Sequence, residues 1–397
     1  FFGVVAALLV LKRHLEHRSD FIRTPSASQQ NLRTAAAKAS KTAAHLTTAA
    51  RTPCDVDTEL TKRLKAIAAM EAAEALRALD ADPLGVSTVT NASAWTCPAE
   101  RLLRRPSCGV GPSLDAERSL RRRAPGAALW FEHLSKAGGT SFCKFARQNV
   151  GFQRTPRYYC MPSDGARIAG TDGRVGRWKF AEIDAYLRRT GHVVLANEWD
   201  PFPSPEVLGK YVLAAVVRDP LDRLVSAYKF WGVTHNRQAK KGQPPDAGRW
   251  LRNMDLSARQ KPQRKFPDFF NSQVARNNFA LWKFASAADP LAFDDCGADR
   301  ACDLRALDVA LRNLEAFHVT APMTWQSSAG PLYERLGWSK LDDIHVVPSG
   351  KTQNSAAKRD LDPALYDQLR RANVPDLVLF HWVQRAFLER LHCDNPR

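Results

Sequence analysis

The sequence predicts an α/β domain built on a central, mainly parallel sheet flanked by helices. Three observations predict it. The runs Leu129–Leu134, Val193–Ala196 and Tyr211–Val217 are largely apolar and lack strict polar alternation, as strands covered on both faces do. Helix-like segments separate them, among them Trp178–Arg189. Two of the runs pass straight into a helix start, after Leu134 and after Val217.

Taken in order, Phe1–Leu11 is an uninterrupted small-and-apolar run followed by Lys12, Arg13, His14 and Arg18. It is shorter than the ~20 residues that cross a bilayer. Residues 1–18 are read as the remnant of an N-terminal signal-anchor with its basic flank. Residues 19–126 are read as a flexible stem, since Ser19–Pro53 is rich in Ala, Thr, Ser, Gln and Lys with little apolar periodicity. One helix is expected in that stem over residues 58–79, where Leu60, Leu64, Ile67, Ala68, Ala75 and Leu79 form a stripe and Asp80-Ala81-Asp82-Pro83 ends it. The main domain is expected over residues 127–397. Within it a fourth strand is expected at Phe317–Ala321, no strong element over Gly232–Lys265, and helices over Pro363–Ala372 and Val374–Leu391.

The chain of 397 residues carries a net charge of +17, which points to an acidic partner, whether a polyanionic substrate, an anionic membrane surface or nucleic acid. No nucleic-acid-binding module accompanies the charge, so nucleic acid is not expected as a partner. The 8 cysteines form no Cys-x-x-Cys pair, which argues against zinc ligation. Cys296 and Cys302 flank a short Gly-containing loop, and Cys97 and Cys108 a Pro/Gly-rich stretch, as local disulfides would. With an apolar N-terminal segment, these favour an oxidising, secretory compartment. Asn91-Ala92-Ser93 is a glycosylation sequon.

The first chemistry-bearing stretch is Lys136-Ala137-Gly138-Gly139-Thr140-Ser141-Phe142. A loop between strand and helix aims backbone amides and the positive end of the helix dipole at an anion. Gly138 and Gly139 let the backbone approach closely, Thr140 and Ser141 add hydroxyls, and Lys136 adds a point charge. The lysine precedes the glycines, so the Walker pattern is not met. The second stretch runs Arg218-Asp219-Pro220-Leu221-Asp222-Arg223-Leu224-Val225-Ser226-Ala227-Tyr228. Asp219 is a good N-cap and Pro220 a good first helical residue, while Arg223 and Ser226 lie i, i+3 on the helix. Arg218 stands at the carboxyl end of a strand, where open α/β sheets bind ligands.

Together the two stretches resemble the cosubstrate-binding signatures of sulfotransferases, Lys-x-Gly-Gly-Thr-Ser/Thr and Arg-Asp-Pro-x-x-Arg-x-x-Ser-x-Tyr. More loosely, Asn313–Phe317 with Leu332–Trp338, and Lys351-Thr352-Gln353-Asn354-Ser355, resemble later segments of the family. The Cys296/Cys302 loop is similar to one in membrane-bound heparan sulfate 2-O- and 6-O-sulfotransferases. The resemblance covers roughly Ala127 to Asn395.

It implies a P-loop-like sulfotransferase fold and transfer of a sulfuryl group from 3′-phosphoadenosine 5′-phosphosulfate (PAPS) to a hydroxyl of a carbohydrate. It also implies a Golgi membrane enzyme, single-pass type II with a lumenal catalytic domain. Residues Lys136 to Phe142 would hold the 5′-phosphosulfate, Arg218 and Ser226 the 3′-phosphate, and Lys351 and Thr352 would close over the nucleotide. Lys136 would act in catalysis, and no metal is required. A His that some relatives use as base is absent from Gly191–Pro201. Glu198, at the carboxyl end of the second strand, is the preferred base, ahead of Asp200 and His133. Two other readings compete: an inactive polyanion- or nucleotide-binding protein on the same scaffold, and a P-loop kinase-like enzyme.

Overall fold

The structure, a computed structural model, describes residues 57–86, 89, 92–103, 111–157, 159–162, 175–236, 242–259, 276–285, 300–340 and 361–393. Among the described residues there are four strands: β1 Leu129–His133, β2 Val194–Asn197, β3 Val212–Val217 and β4 Val319–Pro322. All are buried along their length, which is why their sequences read as apolar runs. The pairing is parallel throughout, in the order β2-β1-β3-β4. Register sets Leu129 beside Val194 and Val212, and Ala214 beside Val319. From β1 the chain crosses to one side to form β2 and then returns to the other side to form β3. The reversal leaves a crevice at the carboxyl ends of β1 and β3, where such sheets bind ligands.

The described helices are α1 Glu59–Ala69, α2 Ala72–Asp80, α3 Leu114–Arg121, α4 Gly139–Val150, α5 Phe180–Thr190, α6 Pro205–Leu208 and α7 Pro220–Ala227. They continue with α8 Ala247–Arg259, α9 Phe279–Phe284, α10 Arg300–Glu315, α11 Gly330–Arg335, α12 Pro363–Ala372 and α13 Val374–His392. α8 lies where no strong element was expected, and a π-helical turn, Tyr228–Thr234, continues α7.

Of the stem expected over residues 19–126, the described residues from Asp57 onward belong to the same compact unit as the sheet. Its single expected helix is two, α1 and α2, broken at Met70 and Glu71. The reason lies in α13, buried over most of its length and carrying Arg385 and Glu389. Glu389 accepts the backbone amides of Leu102 at 2.7 Å and Leu103 at 3.0 Å, and pairs with Arg385 at 2.8 Å. Arg385 in turn donates to the carbonyls of Leu84 and Glu100. A disulfide joins Cys97 to Cys393. This corrects the local Cys97/Cys108 pairing: Cys97 lies against the last turn of α13, while Cys108 falls outside the described residues. Cys302 is disulfide-bonded, and Cys296, like Asn91 and residues 1–56, lies outside the described residues.

Candidate functional site

The site grows from the end of β1. Lys136 takes a positive φ of 67° and Gly138 one of 84°, so the chain turns sharply before α4 starts at Gly139. A positive φ is natural for glycine but uncommon for lysine, and such conformations gather at functional loops. The first bond of α4 runs from the Phe142 amide to the Gly138 carbonyl at 3.0 Å, and Gly138 has no side chain to cap the helix. The preceding amides therefore point out of the helix end, toward any bound anion. Ala137, Gly139 and Phe142 are buried, Ser141 is half-buried and Thr140 is exposed. A methyl at Gly138 would meet Gln326 Oε1 at 3.3 Å, and one at Gly139 would overlap His133 Nε2 at 1.9 Å.

Arg218 ties the second stretch to the first. Its Nη1 donates to the Lys136 carbonyl at 3.1 Å. Burial pushes both cations below their usual ranges: for Lys136 the Arg218 charge adds to this and Glu198 opposes it, and for Arg218 the carboxylates of Asp222 and Asp219 oppose it. The Lys136 ammonium rests 3.8 Å from the centroid of the Phe230 ring, which the π-helical turn supplies. Asp219 caps α7, accepting from Leu221 and Asp222 at 2.9 and 3.0 Å, and burial followed by the Asp222 charge pushes its carboxyl up to about 6.

Glu198 follows β2 directly, with its side chain 14% exposed, and Oε2 lies 3.4 Å from His133 Nδ1. Its charge reaches both His133 and Lys136. Ser226 is half-buried in the second turn of α7. Arg223, by contrast, is 1% exposed, donates to the Arg276 carbonyl at 3.1 Å and lies over the Phe279 ring, so it serves the core rather than the site face. Asp200 is occupied by Arg177 at 2.9 Å and is buried. His192 receives or donates a bond with the Tyr186 hydroxyl at 2.8 Å, at the opposite end of β2. Lys351 and Thr352, with Gln353, Asn354 and Ser355, lie outside the described residues.

Beneath the site is an arrangement that sequence reading missed. Glu132, fully buried in β1, meets the equally buried Lys283 Nζ at 2.6 Å. Trp130 Nε1 and Asn197 Nδ2 also donate to it, at 2.8 and 2.9 Å. Lys283 further donates to the carbonyls of Asn197 and Asp200, tying down the segment that carries Glu198. Burial pushes the Glu132 carboxyl up, and Lys283 works against this. Lys283 is delivered by α9, whose Ala280 and Leu281 amides donate to Asp376 at 3.0 and 2.8 Å. The signal for Glu132 was an acid inside an apolar strand, whereas nothing local marks Lys283. A disulfide from Cys143 to Cys160 links α4 to the segment whose Cys160 carbonyl accepts the Ala196 amide at 2.8 Å.

Among the described residues no group of three or more His, Cys, Asp and Glu is placed to hold a metal ion, and no helix is long and apolar enough to cross a membrane. Neither a curated protein nor a solved structure matches the chain. Residues 124–295 match the model described as Sulfotransferase family. That span holds the cradle, Glu198, the Arg218 helix start and Lys283, and the match supports a sulfotransferase family.

Proposed function

We propose that the chain transfers a sulfuryl group from PAPS to a hydroxyl of a carbohydrate acceptor by in-line displacement. The observation that carries this reading is the convergence, at the crevice between β1 and β3, of an open helix end, two cations and a carboxylate. The residues present suit a bisphosphorylated nucleotide. The outward amides of Gly139 to Ser141 take one anionic group, while Arg218 and Ser226 take the other by charge-assisted and hydroxyl hydrogen bonds.

Lys136 neutralises negative charge as it develops on the leaving oxygen, a role that needs a preorganised cation in a partly dry site. Its lowered proton affinity, caused first by burial, suits it to give a proton to that oxygen. Glu198 accepts the proton of the acceptor hydroxyl. The rest of the rate enhancement comes from alignment, as in phosphoryl transfer. The charge of +17 supports an anionic polysaccharide or glycan as acceptor, with exposed Arg121, Arg122 and Arg123 among its candidate contacts. The disulfides support a lumenal, Golgi-type setting behind an N-terminal membrane anchor.

The test is transfer of labelled sulfate from PAPS to a panel of glycans by the purified chain. Nucleotide binding with no acceptor ever modified favours a polyanion-binding protein instead, and Mg²⁺-dependent ATP turnover favours a kinase-like enzyme.

A further inference from the structure

We propose that His133 is the positioning residue for Glu198: its Nδ1–H holds the carboxylate in place, and Gly139 is a glycine because the imidazole needs that space. The inference rests on the reading of Glu198 as the base and goes beyond it in assigning what holds that base.

The geometry is specific. His133 ends β1 and Glu198 follows β2, adjacent paired strands, so the sheet itself brings the two side chains together. Nδ1 stands 3.4 Å from Oε2, is buried, and makes no hydrogen bond in this state, neither to Glu198 nor to any other group. The contact is close but not aligned as a closed hydrogen bond, as catalytic contacts often are before substrate arrives. The ring cannot swing elsewhere. On one side Gly139 lies so close that a Cβ there would fall 1.9 Å from Nε2, and Phe131 stacks nearby with centroids 5.7 Å apart.

The chemistry explains why a histidine suits this place. Three charged groups face it: Glu198, Lys283 and Lys136. Burial, with help from the two lysines, keeps the imidazole neutral at ordinary pH although Glu198 opposes this. A neutral donor orients a carboxylate without cancelling its charge. The nearby cation, Lys136, would cancel that charge if Glu198 closed onto it. His133 thus keeps base and general acid apart while both face the same crevice.

The experiment uses the full chain and compares His133→Asn, whose amide nitrogen overlays the Nδ1 position, with His133→Gln, whose amide reaches the Nε2 position. Glu198→Gln is run alongside, and binding of 3′-phosphoadenosine 5′-phosphate reports an intact cradle. The expectation for His133→Asn is a kcat within about threefold of the parent. For His133→Gln it is a loss of roughly 30- to 100-fold, as misplacement of a reacting group produces. In that variant KM for PAPS stays within about twofold, and the acid limb of the pH–kcat profile moves to higher pH because a donor to the ionised carboxylate is gone. Asn and Gln variants with equal rates and an unmoved acid limb overturn the positioning role. An acid limb that survives Glu198→Gln but vanishes in the His133 variants makes His133 itself the base, which also overturns it. Full activity in Glu198→Gln removes the base reading on which the proposal stands, an outcome distinct from the other two.

Discussion

Lys136 is held by its surroundings more than by its own conformation. Its carbonyl takes a bond from Arg218, its ammonium lies on Phe230, and its charge feels Glu198. Lys136→Ala is expected to lower kcat by about 10²–10³, the usual cost of losing one preorganised charge-stabilising group. Arg218→Ala should instead raise KM for PAPS by about 10- to 100-fold, in line with the ~1.5–3 kcal/mol of a hydrogen bond to a charged group. Because one side chain touches the other's backbone, the two losses should not add. A double variant whose rate equals the product of the single effects would show the tie to be energetically idle. The Glu132–Lys283 pair allows a second test. Lys283→Met leaves a buried acid without its counter-charge and should cost about 3–5 kcal/mol, while Glu132→Leu added to it should return much of that. Urea unfolding distinguishes the cases, and a double variant no more stable than the single one defeats the argument.

At the level of elements, His318 is the joint between β3, β4 and α3. Its Nδ1 accepts the Leu213 amide at 3.1 Å and its Nε2–H donates to the Ser113 carbonyl at 2.9 Å, so only the neutral ring fits both. Burial takes the imidazole from 6.5 in its ordinary state down to about 4 in the folded chain. The unfolded state therefore binds the proton first: the stability this neutral ring contributes is complete above pH 6.5 and is lost as pH falls from 6.5 toward 4. Compared with a His318→Leu variant, the parent should lose up to roughly 3 kcal/mol more across that window, followed by thermal unfolding at stepped pH. A difference that stays flat from pH 7 to pH 4 would remove His318 from the account.

The elements also show what local sequence can and cannot report. The four strands were legible because burial on both faces leaves long apolar runs, and α7 was legible from its Asp219-Pro220 start. The cradle was legible because Gly138, Gly139 and Lys136 are chemically unusual together. α8 was hidden by its Gly- and Pro-rich approach, and the π-helical turn has no sequence signature that would place Phe230 on Lys136. Lys283 and Asp376 were illegible for another reason: their partners lie far away in the chain, and only packing brings them together. Helix periodicity makes Arg223 and Ser226 neighbours, but it does not tell that Arg223 is buried.

At the scale of the folded unit, the segment from Leu84 to Leu103 and the last helix close the domain on itself. Cys97→Ser should cost about 2–5 kcal/mol, read as a lowered midpoint of denaturation in oxidising buffer and no change between parent and variant once both are reduced. A fragment beginning at residue 127 would also leave Arg385 and Glu389 on α13 without the backbone groups they serve. Acceptor binding driven by a charge of +17 should weaken steeply with added salt, whereas transfer that ignores ionic strength would point to a neutral acceptor.

The Cys97–Cys393 bridge also sets an order in time. During synthesis Cys97 emerges 296 residues ahead of its partner, whereas Cys143 and Cys160 are separated by only 17. Under oxidising conditions every earlier thiol competes for Cys97 before Cys393 exists, and thiolate exchange must correct any bond so formed. Correct oxidation is thus a property of the finished chain: the cradle helix can be locked while synthesis continues, but the domain is sealed only when its end arrives.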